Sequence, residues 1–105
     1  MVDNDIILGV SEEIQKLCRP TAIILISNKI NTSEELVSFK LLVIVDDSCA
    51  STSELECAMY MKIDSDVPFD LVLYKQSEWD CLKNEIGTFA WKINNSGVYI
   101  YGQRL

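Results

Sequence analysis

The chain contains 105 residues, of which 49% are apolar and 24% are charged. This length accommodates one domain, which we expect to span 1–105, and the composition is typical of a globular fold rather than a disordered or collagen-like chain. A net charge of −7 disfavours sequence-independent binding of nucleic acid, because an anionic surface repels phosphate backbones. The lack of histidine excludes serine–histidine and cysteine–histidine catalysis and zinc sites with imidazole ligands.

Three features bear on the compartment. No apolar run approaches the roughly 20 residues of a transmembrane helix, and the acidic start Met1-Val2-Asp3-Asn4-Asp5 does not resemble a secretory signal. The even number of cysteines permits a disulfide framework, but an apolar-rich chain without a signal favours reduced thiols. We therefore expect a cytoplasmic protein without membrane attachment, in which each cysteine is a small buried or half-buried apolar residue. The cysteines are Cys18, Cys49, Cys57 and Cys81.

The first half of the chain predicts one helix and two strands. Apolar residues at three- and four-residue steps predict a helix over 5–18, which Pro20 ends. The continuous apolar runs 22–26 and 39–45 predict buried strands. The polar stretch 27–38 between them reads as a loop, in which Thr32-Ser33-Glu34-Glu35 can start a helical turn.

The second half alternates helices and strands. The predicted helical segments are 51–63, 77–82 and 88–93, and the last two are separated by Gly87. The predicted strands are 69–74 and an edge strand over 98–101, which follows a turn at 94–97. This order predicts an α/β (α+β) domain with a mixed sheet of about four strands and helices packed on it.

Polar residues at the ends of the strands carry a resemblance. Ser27 follows the first strand, Ser38-Phe39-Lys40 leads into the second, and Asp70 lies in the third. Together with the tail from Gly87 to Gly102, this layout resembles the minimal nucleotidyltransferase domain of the DNA polymerase β superfamily over residues 5–102. The resemblance implies that fold, and it makes Ser27, Ser38, Lys40 and Asp70 the remnant positions of the family's catalytic site.

The motif departs from that family where the family binds metal. Family members hold two divalent cations with three carboxylates from adjacent strands. The positions that match the three carboxylates are here Ser38, Lys40 and Asp70, and Ile26 stands in place of the glycine before Ser27. At about 4 Å and an effective dielectric constant of about 20, the ammonium group of Lys40 would repel a dication by ~8 kcal/mol. We therefore expect that the protein binds no metal and no cofactor. We also favour a protein without enzymatic activity over an enzyme.

These departures lead to two hypotheses of function. The first is a catalytically inactive nucleotidyltransferase-like domain that acts as an interaction or ligand-binding module. By the resemblance, it would be antitoxin-like with a helical partner of the HEPN type, or it would associate with a second copy of itself. The second is an active enzyme that transfers a nucleoside monophosphate from a nucleoside triphosphate. It would hold magnesium with Asp70 and a carboxylate pair, which is either Asp46 and Asp47 or Glu34 and Glu35.

Other side chains leave alternatives open. Lys40 either pairs with Asp70 within about 4 Å, or it extends to solvent while Asp70 binds nearby backbone. Ser27, Asn28 and Lys29 form either an anion site or a solvated loop. Other groups also admit two interpretations, as core residues or as a partner surface: Trp79, Trp91 and Phe89 of the last helices, and Tyr99 and Tyr101 of the edge strand.

Overall fold

A computed structural model of the protein describes residues 4–103, so Met1-Val2-Asp3 of the acidic start and the last two residues of the expected domain lie outside the described residues. Helices and strands alternate along the chain much as their periodicities predict. The elements are α1 (Asp5–Cys18), β1 (Ala22–Ile30), β2 (Leu36–Val45), α2 (Thr52–Lys62), β3 (Phe69–Lys75), α3 (Gln76–Leu82), α4 (Phe89–Ser96) and β4 (Val98–Tyr101).

The four strands form one mixed sheet in the order β3-β2-β1-β4. β1 is antiparallel to both β2 and β4, whereas β2 is parallel to β3. Helix α2 forms the crossover that connects β2 to β3. The expected α+β fold, with a mixed four-stranded sheet and helices packed on it, is confirmed. None of the described helices combines the length and the apolar character that a transmembrane span requires.

Helices cover both faces of the sheet, which explains why the central strands are apolar without alternation. On one face, α1 and α2 enclose a core with the odd-numbered residues of β2. On the other face, α3 and α4 pack on the even-numbered residues Leu42 and Ile44. Successive side chains of a strand point to opposite faces, so a strand buried on both sides needs an apolar residue at every position.

The polar segment 27–38 is not a loop with a helical turn, so this prediction is wrong. β1 continues to Ile30 and β2 begins at Leu36, and the two strands form an antiparallel hairpin. The carboxamide of Asn31 closes its turn by accepting the backbone N–H groups of Ser33 and Glu35, each at 2.9 Å. Residues 27–35 of this hairpin are exposed and, apart from Ile30, polar, so they give no apolar signal of a strand.

The predicted turn at 94–97 is also wrong, because α4 continues through Ser96. The side chains that favour turns bond within the helix instead. Asn95 Nδ2 donates to the carbonyl of Trp91 and Ser96 Oγ donates to that of Lys92, both at 2.7 Å. The helix ends at Gly97, where a β-carbon would lie 2.5 Å from Ile24 Cγ2.

The cysteines are all free, but they differ in exposure. Cys18 and Cys49 are half-buried, as expected. Cys57 and Cys81 are exposed, which contradicts the expectation that every cysteine is a buried or half-buried apolar residue. Both lie on the outer sides of short helices, where a small side chain need not contact the core.

Candidate functional site

A recess of about 290 Å³ lies over one end of the sheet. Its lining is polar except for one phenylalanine, and it includes the four residues that the resemblance singles out. The lining residues are Ser27, Asn28, Lys29, Ser38, Phe39, Lys40 and Asp70.

Strand register brings these residues together. Lys40 lies opposite Ser27 of β1 on one side and is aligned with Asp70 of β3 on the other. Ser38 lies opposite Lys29. Neighbouring strands are about 4.8 Å apart, so these five side chains form one continuous patch. They share the face of the sheet on which α3 and α4 pack further along β2.

A β-bulge in β1 directs Ser27 into this patch. The register shifts between Leu25 and Ser27, so that Ile26 has no partner of its own in β2. Ile26 packs into the core beneath α3 and α4, and Ser27 then faces the same side as Ile26. Without this extra residue, strict alternation would place Ser27 on the opposite face with Leu25. Apolar periodicity gave no signal of the bulge.

Of the two alternatives for Lys40 and Asp70, the ion pair does not form. In the part of the chain that the structure describes, the salt bridges join Lys16 to Glu13 and Lys83 to Asp80. Asp70 is exposed, and its carboxylate makes no hydrogen bond to the described backbone. The alternative in which Asp70 binds nearby backbone is therefore wrong as well. An exposed pair of this kind contributes only ~0–1 kcal/mol, which is too little to order a lysine side chain.

An aromatic cluster supports the strand that carries Asp70. The ring of Phe69 stacks on Phe39 and on Tyr60, with centroids 5.6 Å apart in each pair. Tyr60 Oη accepts the backbone N–H of Leu71 at 2.7 Å and so satisfies a donor of β3. No pattern in the sequence indicated this contact between Tyr60 and β3.

The environment of Tyr60 raises the pKa of its phenol. Burial is the largest cause, and the carboxylates of Glu56 and Asp70 add to it, while the hydrogen bond from Leu71 acts in the opposite direction. Tyr60 is thus a neutral neighbour of the recess at physiological pH.

The other carboxylates of the alternative hypothesis lie away from Asp70. Asp46 follows the far end of β2, six residues beyond Lys40, which is ~20 Å along a strand. Its carboxylate accepts the Ser48 N–H at 2.8 Å, which lowers the pKa of Asp46. Asp47 caps the start of α3 by accepting the Ser77 N–H at 2.9 Å. These two carboxylates therefore serve turns and a helix start.

Glu34 and Glu35 lie in the hairpin turn, where both are exposed. Glu35 precedes Lys40 by five residues, so it is ~17 Å from Lys40 along the strand. Among residues 4–103 there is no group of three or more cysteine, aspartate or glutamate side chains that could hold a metal ion. Asp70 is the one described carboxylate that lines the recess.

The aromatic residues of the last helices divide between core and surface. Trp79 is buried and lies 5.6 Å from the ring of Tyr74, so it belongs to the core. Trp91 is half-buried, whereas Phe89 is 43% exposed. On the edge strand β4, Tyr99 is half-buried and Tyr101 is exposed, so the two tyrosines do not form one exposed pair.

Comparisons of this chain with protein-family models, with curated proteins and with solved structures gave no match. Evidence on what the recess binds therefore comes from its own residues, and above all from their charges. Two ammonium groups, from Lys29 and Lys40, face one carboxylate, from Asp70, in a protein whose net charge is −7. Such a patch attracts an anion and repels a divalent cation.

Proposed function

We propose that this chain is a nucleotidyltransferase-like domain that lacks transferase activity and acts as an interaction or ligand-binding module. One observation carries the proposal: Lys40 lies between Ser27 and Asp70, at the centre of the patch where the family places its metal ions. The fold positions the motif residues side by side, while their chemistry opposes two-metal catalysis. The four free cysteines agree with a reducing compartment, and we propose the cytoplasm.

The partner would be a helical protein of the HEPN type, with this chain in an antitoxin-like role, or a second copy of the chain. Exposed apolar side chains support an interaction surface. Ile86 is 80% exposed in the connection between α3 and α4, close in sequence to the exposed Phe89. Val98 and Tyr101 are exposed on β4, which lies at one edge of the sheet and is open to pairing with another strand.

Rebuilding the carboxylates tests the proposal. We expect calorimetric titration of the wild-type protein with Mn²⁺ to give no saturable heat, and we expect Mn²⁺ to cause no increase in the affinity for a nucleoside triphosphate. The double variant Ser38→Asp/Lys40→Asp, with Asp70 retained, presents three carboxylates on adjacent strands and should gain saturable Mn²⁺ binding. The matched control is Ser53→Asp/Lys62→Asp, which makes the same change in charge on α2 and should gain none.

The outcomes test separately the lack of transferase activity and the nucleotidyltransferase-like interpretation of the fold. Metal-dependent nucleotide binding or turnover by the wild-type protein would contradict the lack of transferase activity. A folded double variant, verified by circular dichroism, that binds Mn²⁺ no better than its control would contradict the nucleotidyltransferase-like interpretation of residues 38, 40 and 70.

A further inference from the structure

The recess contains a compact arrangement of four hydrogen-bond donors on two antiparallel strands. Lys29 lies opposite Ser38, and Ser27 lies opposite Lys40, so the two lysines occupy one diagonal and the two serines the other. Diagonal neighbours of this kind are about 7–8 Å apart at their α-carbons, which is within reach of a long side chain. Both ammonium groups and both hydroxyls can therefore converge on one small group.

The two cations of this arrangement are not neutralised. Neither lysine ammonium forms a salt bridge or hydrogen bond with another described residue, although Lys40 is only half-exposed. Asp70 supplies one negative charge at the side, so the recess keeps a local charge of about +1. This excess of positive charge is localised in a strongly anionic protein, so the recess attracts an anion although the protein as a whole repels it.

We propose that this recess binds a phosphate dianion of a small molecule directly through Lys29, Lys40, Ser27 and Ser38, without a metal ion. Ammonium groups donate charge-assisted hydrogen bonds to phosphate oxygens, and serine hydroxyls add neutral ones. The proposal uses only the observed register and charges, so it stands independently of the nucleotidyltransferase-like interpretation.

The surroundings favour a small ligand over a polyanion. The recess volume of about 290 Å³ accommodates a phosphate with part of the group that carries it. Glu34 and Glu35 are exposed in the hairpin turn that follows Lys29, and the protein as a whole is anionic. An extended nucleic acid would therefore meet repulsion beyond the one or two phosphates that the lysines neutralise.

A titration monitored by two-dimensional ¹H–¹⁵N NMR spectroscopy tests this site. Inorganic phosphate and a nucleoside monophosphate are added separately, with a chelator present and at constant ionic strength. We expect saturable shifts of the backbone resonances of residues 27–29 and 38–40. Tighter binding of the nucleoside monophosphate would assign the site to nucleotides, and equal binding would assign it to phosphate itself. Saturation by neither compound would overturn the proposal.

Three variants distinguish the site from general charge effects. Lys40→Gln should weaken binding about tenfold or more, because it removes one of the two cations. Asp70→Asn should strengthen binding several-fold, because it removes the only described carboxylate in the recess; this gain cannot arise from unfolding. The control Lys62→Gln removes an exposed lysine from α2 and should leave the affinity unchanged. Equal losses in both lysine variants, or no gain in Asp70→Asn, would contradict the site.

Discussion

At the scale of single residues, Cys18 shows how position in the fold controls reactivity. Its thiol is half-buried at the end of α1, and Cys18 Sγ donates to the Ile14 carbonyl at 3.4 Å. Burial, with a smaller contribution from the neighbouring Cys49, raises the pKa of Cys18 from 9.0 to about 11. The thiolate is the reactive form, so we expect Cys18 to react slowly with electrophiles at neutral pH.

Alkylation rates should reveal this difference. At pH 8 only about one Cys18 side chain in a thousand is ionised, so iodoacetamide should modify the exposed Cys57 and Cys81 first. The rate at Cys18 should rise about tenfold per pH unit up to a pH of about 11. Peptide mapping by mass spectrometry after timed quenching measures each site. Similar rates at Cys18 and Cys57 at pH 8 would contradict the raised pKa.

At the scale of elements, the end of β4 depends on a glycine. Gly102 follows the strand with φ of +79°, and a β-carbon there would collide with the carbonyl oxygen of Thr21 and lie 2.9 Å from Ala22 Cα. Gly87 has a φ of +95°, but a β-carbon added there would meet no atom within 4 Å. Both glycines adopt the left-handed backbone conformation that a residue with a β-carbon disfavours. Only Gly102 also lets the end of β4 approach the start of β1 closely.

Substituting the two glycines should separate these effects. Gly87→Ala should lower the free energy of unfolding by ~1–2 kcal/mol, the cost of a left-handed conformation for a residue with a β-carbon. Gly102→Ala should cost a further ~1–3 kcal/mol, because β4 must move away from the start of β1. Urea denaturation of both variants measures the difference. Equal losses would show that the contact at Gly102 relaxes without cost.

The same elements show how far the sequence predicts the site. The buried parts of β1, β2 and β3 were predicted because both faces require apolar residues. The exposed half of the hairpin was missed, since solvent on both sides places no apolar demand on its residues. The bulge at Ile26 was missed for a different reason: it depends on the pairing of two strands. The positions of Lys40 and Asp70 were predicted through the resemblance, whereas the sequence left open whether the two side chains form an ion pair.

At the scale of the whole molecule, two apolar layers share one sheet. Met59 of α2 is fully buried in the layer beneath α1 and α2, whereas Trp79 is buried in the layer beneath α3 and α4. The central strands contribute alternate side chains to both layers. Loss of one layer therefore exposes the sheet on which the other packs, and we expect the described domain to unfold in one cooperative transition.

A side-chain truncation in one layer tests this coupling, because its effect can be measured by a signal from the other layer. Met59→Ala should lower the free energy of unfolding by ~2–5 kcal/mol through lost contacts and the resulting cavity. The control Met61→Ala lies two positions further along α2, where the side chain is 81% exposed, and should change stability by less than about 0.5 kcal/mol.

Denaturant unfolding is followed by tryptophan fluorescence, which reports on α3 and α4, and by far-ultraviolet circular dichroism. The midpoint of Met59→Ala should fall equally by both signals, because the tryptophans lose their support when the shared sheet unfolds. A fluorescence midpoint that stays at the wild-type value would show that the two layers unfold separately.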